Sequence, residues 1–243
     1  KIKIDIIASA FDVGSLKFLE KCNVKYHKVA SSELSNLAII NFLSKTNKPI
    51  ILSTGMSDIN DIKIAVDIIK KRNQKIVILQ CGSIYPLPYK KNNLNVLKEF
   101  KKFNYTLGLS DHTLDDVAAI TSIGLGALVF EKHFTLSKKM TGPDHFYAME
   151  PNQLHGYFKN LKNSFLCLGS SKKDLLKKEK LNSRRKGLYF KRSLKKNKKI
   201  TKSDFFLKSP PLGLLHTYED KVLSKKLNVN VKKNTPIFIK YFE

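Results

Sequence analysis

Short apolar runs recur along the chain, and each closes on a polar cluster: IDIIAS, YHKVASSE, KPIILSTGM, KIVILQCGSIYP, YTLGLSDH and ALVFEKHF. Their ends fall at Ser9, Ser31, Ser53, Cys81, Ser110 and Lys132, 22 to 29 residues apart. Runs that are apolar throughout, without alternation, suit strands covered on both faces and hence a parallel sheet. The intervening segments carry helical periodicity. The clearest is 58–72, where Ile59, Ile62, Val66 and Ile69 share a face, with Ser57 placed to cap it. Helices are also expected over 35–45, 93–103 and 114–125, and over 151–166 with Pro151 in the first turn.

Six strand–helix units at this spacing fit a doubly wound sheet or a TIM barrel. No GxGxxG or P-loop is present to support a nucleotide-binding sheet. Polar side chains at every strand end favour the barrel, whose strand ends converge on one mouth. The expectation is therefore an α/β fold with six of the eight strands of a TIM barrel. After Gly169 the pattern changes. Residues 166–186 are polar and basic, as in a linker. Residues 187–243 hold three short strand-like pieces, LYFKRSL, DFFLKS and TPIFIKYF, of a small β-rich domain. The division is 1–165, 166–186 and 187–243.

Charge and cysteines narrow the class. The net charge is +25, and residues 166–243 hold +16 of it. The lysines are spread among Asn and Ile with no basic recognition helix, which favours a solvated surface over a nucleic-acid site. Cys22, Cys81 and Cys167 form neither a CxxC pair nor a disulfide framework. No apolar run is long enough to cross a bilayer. A cytoplasmic protein is expected.

The strand ends also carry the chemistry. His112 and His133 close consecutive strands beside Asp111 and Glu131, a pair suited to Mn, Fe, Co or Zn. Lys28 with Ser31, Ser53, Ser83 and Ser110 offers one cation and a row of hydroxyls, an inventory for a phosphate or carboxylate. Glu33 and Asp144 are candidates for handling substrate protons. Cys81 lies near the mouth with no evident base beside it.

KPIILSTGM (48–56), CGSIYPLPY (81–89), GLSDHT (108–113) and FEKHFTLSKKMTGPDHFYAMEP (130–151) resemble the sialic acid synthase family, which includes N-acetylneuraminate synthase and its legionaminic and pseudaminic acid relatives. The resemblance implies a TIM barrel followed by an antifreeze-like (SAF) domain. It implies a transferase that condenses phosphoenolpyruvate with an open-chain N-acylated hexose, such as N-acetylmannosamine, to a nine-carbon 2-keto acid and phosphate. By the same resemblance His112 and His133 would hold a divalent metal, manganese with magnesium or cobalt as options. Lys28, Ser31, Ser53 and Ser110 would hold phosphoenolpyruvate, and Glu33, Tyr85 and Asp144 the amino sugar. A homodimer is implied, with the small domain laid over the partner's barrel.

Three departures from the family pattern qualify this. The chain corresponds to the family from its third strand on, so two strands, with a glutamate and a second lysine of the site, are expected to be missing and activity of this chain alone to be impaired. Ser83 replaces the Asn of neuraminate-type members, which leaves the legionaminic and pseudaminic branches open. Ser209, in LKSPPLG, stands where an Arg that reaches the partner's site is expected. The alternative is a non-catalytic carbohydrate-binding or assembly module built on the same fold.

Overall fold

The apolar runs pair side by side. In a computed structural model, which describes residues 4–72, 75–181 and 184–242, five strands form one parallel sheet in chain order: β1 (His27–Val29), β2 (Ile50–Ser53), β3 (Ile76–Cys81), β4 (Thr106–Asp111) and β5 (Ala127–Lys132). The chain divides into two compact units, Lys1–Gly169 and Ser170–Glu243.

The sheet is rolled. Lys28 on β1 and Glu131 on β5 lie 3.4 Å apart, although three strands stand between theirs. In a flat sheet with strands about 4.8 Å apart those two edges would be separated by about 19 Å. The ion pair therefore selects a barrel wall over an open doubly wound sheet.

The expected first strand differs. Of IDIIAS, only Ser9 bridges to Lys28, while Ile4 and Ile6 are exposed. β1 is only three residues long, so a strand beside it finds few ladder partners. β1 also stops at Val29, and Ser31–Glu33 form a 3-10 turn instead of the strand's end.

Helices cover the outer face. α1 (Val13–Lys21), which the periodicity did not reveal, is capped by Asp12, whose carboxylate accepts from the Ser15 amide at 2.8 Å. Leu16 is its one fully buried residue. α2 (Leu37–Ser44) is capped by Asn36. α3 (Ile59–Lys70) is capped by Asp58 and not Ser57, because the Asp58 carboxylate takes both the Asn60 and Asp61 amides and Asp61 returns a bond to the Asp58 amide. Its Ile62, Val66 and Ile69 are buried as the pattern requires, whereas Ile59 is exposed.

The segment 93–103 is broken into a 3-10 turn, a single α-turn, α4 (Leu97–Phe100), and a second 3-10 turn. Asn93 and Asn104 bracket it in the left-handed region at φ 47° and 58°. α5 (Val117–Gly124) and α6 (Pro151–Leu168) follow, the latter with Pro151 in its first turn. Ile39, Leu43, Leu52, Val66 and Ile78 are buried in one cluster between helices and sheet. Each such side chain contributes about 1.5–3 kcal/mol.

The second unit is built on an antiparallel pair, after a short helix α7 (Lys177–Leu181). β6 (Gly187–Phe190) pairs with β7 (Phe205–Lys208), and the core is Leu188, Phe190, Ile200, Val222, Leu227 and Ile237. The third expected strand, TPIFIKYF, forms isolated bridges, Tyr189–Pro236 and Leu227–Phe242, and a 3-10 turn; Thr235 and Ile237 bond to β6 on either side of Pro236, which has no amide to extend them into a ladder. Among the described residues no helix is long and apolar enough to cross a membrane.

Candidate active site

Rolling the sheet gathers the strand ends around a cavity of 470 Å³, a volume suited to a small ligand. Lys28, Ser31, Ser53, Ser83 and Ser110 all line it, as do Tyr85, His112 and His133, with Cys81, Glu131 and Lys132 also in its wall. The turn after β2 must come close to make this cavity. A Cβ on Gly55 would meet Ser83 Oγ at 2.3 Å and Ser31 Oγ at 2.7 Å, so glycine there leaves both hydroxyls in their places on the wall.

The anionic inventory is met on one side. The Gly55 amide donates to Ser31 Oγ at 3.1 Å, and that hydroxyl donates to Cys81 Sγ at 3.3 Å. Lys28 Nζ donates to the Val29 carbonyl at 3.2 Å and faces Glu131 at 3.4 Å. Ser110 Oγ donates to Glu131 at 2.6 Å. The hydroxyls of Ser53 and Ser83 are buried without a hydrogen-bond partner among the described residues. Buried hydroxyls left unpaired cost free energy, so a cavity that keeps two of them asks for a ligand to satisfy them.

On the other side stand four rings. The centroids of His112 and His133 are 5.3 Å apart and edge-on. Tyr85 lies 4.3 Å from His112 and 5.6 Å from His133. Tyr147, which the sequence did not single out, lies 5.0 Å from His133. His112 Nδ1 sits 2.7 Å from the Gly82 carbonyl. It therefore carries its proton there and leaves Nε2 free as a ligand, the usual way a backbone carbonyl orients a metal-binding imidazole. Among the described residues no group of three His, Cys, Asp or Glu forms a complete metal shell. Two neighbouring imidazoles are donors that a divalent cation would use, with its other positions left to oxygen ligands.

The electrostatics of the two rings differ. Burial pushes His133 below the ordinary imidazole range, and the neighbouring His112 adds to this. His112 is raised: burial opposes this, but its contacts with Cys81 and the Gly82 carbonyl outweigh it. Cys81, read from sequence as lacking a base, has His112 Nδ1 4.0 Å from its sulfur. Its thiol is lowered, since hydrogen bonds to His112 and Ser31 overcome a burial that acts the other way. Burial raises the Tyr85 phenol, with Cys81 and Asp144 adding to it.

Two candidates lie outside the lining. Glu33 accepts from Asn36 Nδ2 at 2.9 Å, at the start of α2, and does not line the cavity. Asp144 accepts from Tyr147 Oη at 2.6 Å and lies 3.8 Å from His133 Nδ1, beside the rings. Glu131 is the lining acid that sequence reading treated only as a flank. Its signal was its position two residues before His133, just inside the end of β5.

Residues 1–173 match the model of the NeuB family, and residues 185–242 match that of the SAF domain. The chain belongs to the NeuB family. An uncharacterized protein of Methanocaldococcus jannaschii is 36% identical over 242 residues, covering 98% of this chain and 72% of that protein. The N,N'-diacetyllegionaminic acid synthase of Legionella pneumophila is 30% identical over 249 residues, covering 99% of this chain and 70% of that enzyme. The crystal structure of spore coat polysaccharide biosynthesis protein E from Chromobacterium violaceum superposes with a TM-score of 0.81 at 22% identity, covering 98% of this chain and 73% of that one. The rolled parallel sheet is thus a NeuB-type wall of a TIM barrel, followed by a SAF domain.

Proposed function

We propose that the cavity is the active site of a sialic-acid-type synthase, which joins phosphoenolpyruvate to the aldehyde of an open-chain N-acylated amino hexose. The observation that carries this is the pairing, in one cavity, of a lysine and unpartnered serine hydroxyls with two edge-on imidazoles. An enol phosphate needs the first half, and an aldehyde electrophile the second. The relative that is a legionaminic acid synthase supports the same class.

In this reading Lys28, Ser31, Ser53, Ser83 and Ser110 bind the phosphate and carboxylate and hold the enol carbon towards the rings. A divalent cation on His112 and His133, manganese in first place and magnesium or cobalt as options, supplies Lewis-acid polarisation of the aldehyde when bound. Tyr85 lines the sugar side, and Asp144, held by Tyr147, closes it. Glu33 would act from the rim. The methylene carbon of phosphoenolpyruvate bonds to the aldehyde carbon, whose oxygen takes up a proton. Water then adds at the phosphate-bearing carbon, which the first step leaves electron-poor, and gives up a proton; that carbon's bond to the phosphate oxygen breaks as the new hydroxyl loses its proton, giving phosphate and the 2-keto acid. The enzyme works in the cytoplasm as a homodimer in the same reading.

The test is phosphate release from phosphoenolpyruvate with manganese, assayed with N-acetylmannosamine and with 2,4-diacetamido hexoses. Release that requires both an N-acylated hexose and the cation supports the reading, and its sugar dependence names the branch. Binding of the sugar with no phosphate release would favour a carbohydrate-binding module.

A further inference from the structure

The reaction outlined above leaves one buried ion pair at the mouth unused. Lys132 ends β5 and Asp111 ends β4, and the two are register partners. Lys132 Nζ lies 2.8 Å from Asp111 Oδ2, with the side chains 9% and 0% exposed. The same ammonium donates to the carbonyls of Thr113 at 2.5 Å and Asp115 at 2.9 Å. All three of its N–H bonds are therefore spent on the strand end and the turn after it. The other carboxylate oxygen of Asp111 accepts from the amide and hydroxyl of Thr113 at 2.9 and 2.7 Å.

His112 stands inside this network, between Asp111 and Thr113. Its own carbonyl accepts from the Leu87 amide at 2.8 Å. His133 is the next residue after Lys132. The pair thus joins the immediate chain neighbours of both imidazoles. A buried ion pair gains little over apolar packing of the same volume, and its best-attested use is to select one arrangement.

We infer that Lys132 is a positioning residue: by clamping the 111–115 turn to the end of β5 it fixes His112 against His133 at the spacing one divalent cation requires. This rests on the reading of the two histidines as a cation site, but the set of the rings is a property of the protein alone and is measured without a cation.

The test compares the wild-type chain with Lys132→Met and with the double variant Asp111→Leu/Lys132→Met, which leaves no unpaired buried charge. In cation-free protein, long-range proton–nitrogen spectra of the imidazoles should show His112 protonated on Nδ1. In both variants that signal should move towards the averaged position of a free imidazole. The urea midpoint should fall in the single variant and recover in the double, while the His112 signal should not recover. Manganese affinity, read from the free-ion resonance, should weaken 10- to 100-fold in both. An unchanged His112 signal in Lys132→Met, or its recovery together with stability in the double variant, would overturn the inference. A wild-type chain that binds no manganese would remove the cation reading, and the imidazole spectra would still decide the role of Lys132.

Discussion

A Cβ on Gly55 would stand 2.3 Å from the hydroxyl of Ser83, inside the cavity wall. Both this hydroxyl and that of Ser31 sit on short side chains that can rotate away, so Gly55→Ala should fold. The cost falls on the ligand, because the hydroxyls rotate out of the positions that would meet a phosphate. Phosphoenolpyruvate binding by calorimetry should weaken at least about tenfold, the loss of one charged hydrogen bond, with a change of only a few degrees in Tm. Gly108→Ala is the contrast. There the Cβ would meet the Val129 carbonyl at 2.2 Å, backbone that cannot move aside, and the loss should reach about 3 kcal/mol, read from urea melts.

Lys28→Ala should raise the KM for phosphoenolpyruvate by roughly 10- to 150-fold, the equivalent of about 1.5–3 kcal/mol for a charged hydrogen bond, with much less effect on that for the sugar. Ser53→Ala should separate function from stability in the opposite sense. Its hydroxyl is buried and unpartnered, so removing it should leave the Tm unchanged or higher while ligand affinity falls. A drop in both would contradict the assignment.

The five strands of the wall and most helices were legible because β2, β3 and β4 are buried on both faces and write continuous apolar runs. α1 was not, since only Leu16 among its nine residues is fully buried and its register is set by the Asp12 cap. The segment 93–103 kept its helical spacing but is confined between left-handed Asn93 and Asn104, a backbone preference that periodicity does not record. At the site, the cavity-lining serines and histidines are strand-end residues, visible as punctuation. Glu131 and Lys132 acquire their places only through register with Ser110 and Asp111. That cross-strand relation is not written in either segment.

His27 sets a pH dependence of stability in the barrel unit. Its ring is fully buried, Nε2 lies 2.8 Å from Glu20 Oε1, and Nδ1 has no partner. Burial lowers it below the ordinary 6.5, against the pull of Glu20. Below pH 6.5 the unfolded chain therefore binds more protons than the folded one at this position, and stability falls as pH falls. Urea melts between pH 8 and 5 should show this decline from about pH 6.5 downward. His27→Gln should reduce it, leaving the part of the same sign that His133 contributes. Glu20, held below the usual carboxylate range by Lys48 and His27 although burial opposes this, adds its own loss only below about pH 4.5.

In the SAF unit, Asp204 is fully buried and accepts from Arg192 Nη2 at 2.6 Å and Nε at 3.0 Å, and from the Thr201 amide and hydroxyl at 2.9 and 2.8 Å. Asp204→Ala leaves those donors unpaired and should cost on the order of 2 kcal/mol. Hydrogen exchange on the whole chain should show the loss confined to amides of 187–242, with 76–111 unaffected.

The most direct test of the cavity as a phosphoenolpyruvate site is the phosphorus resonance of phosphoenolpyruvate titrated with the purified chain, with and without manganese-free magnesium. The resonance should shift or broaden saturably, and Lys28→Ala and Gly55→Ala should each abolish the effect at the same concentrations. No perturbation by the wild-type chain, or an equal perturbation by Lys28→Ala, would contradict the account.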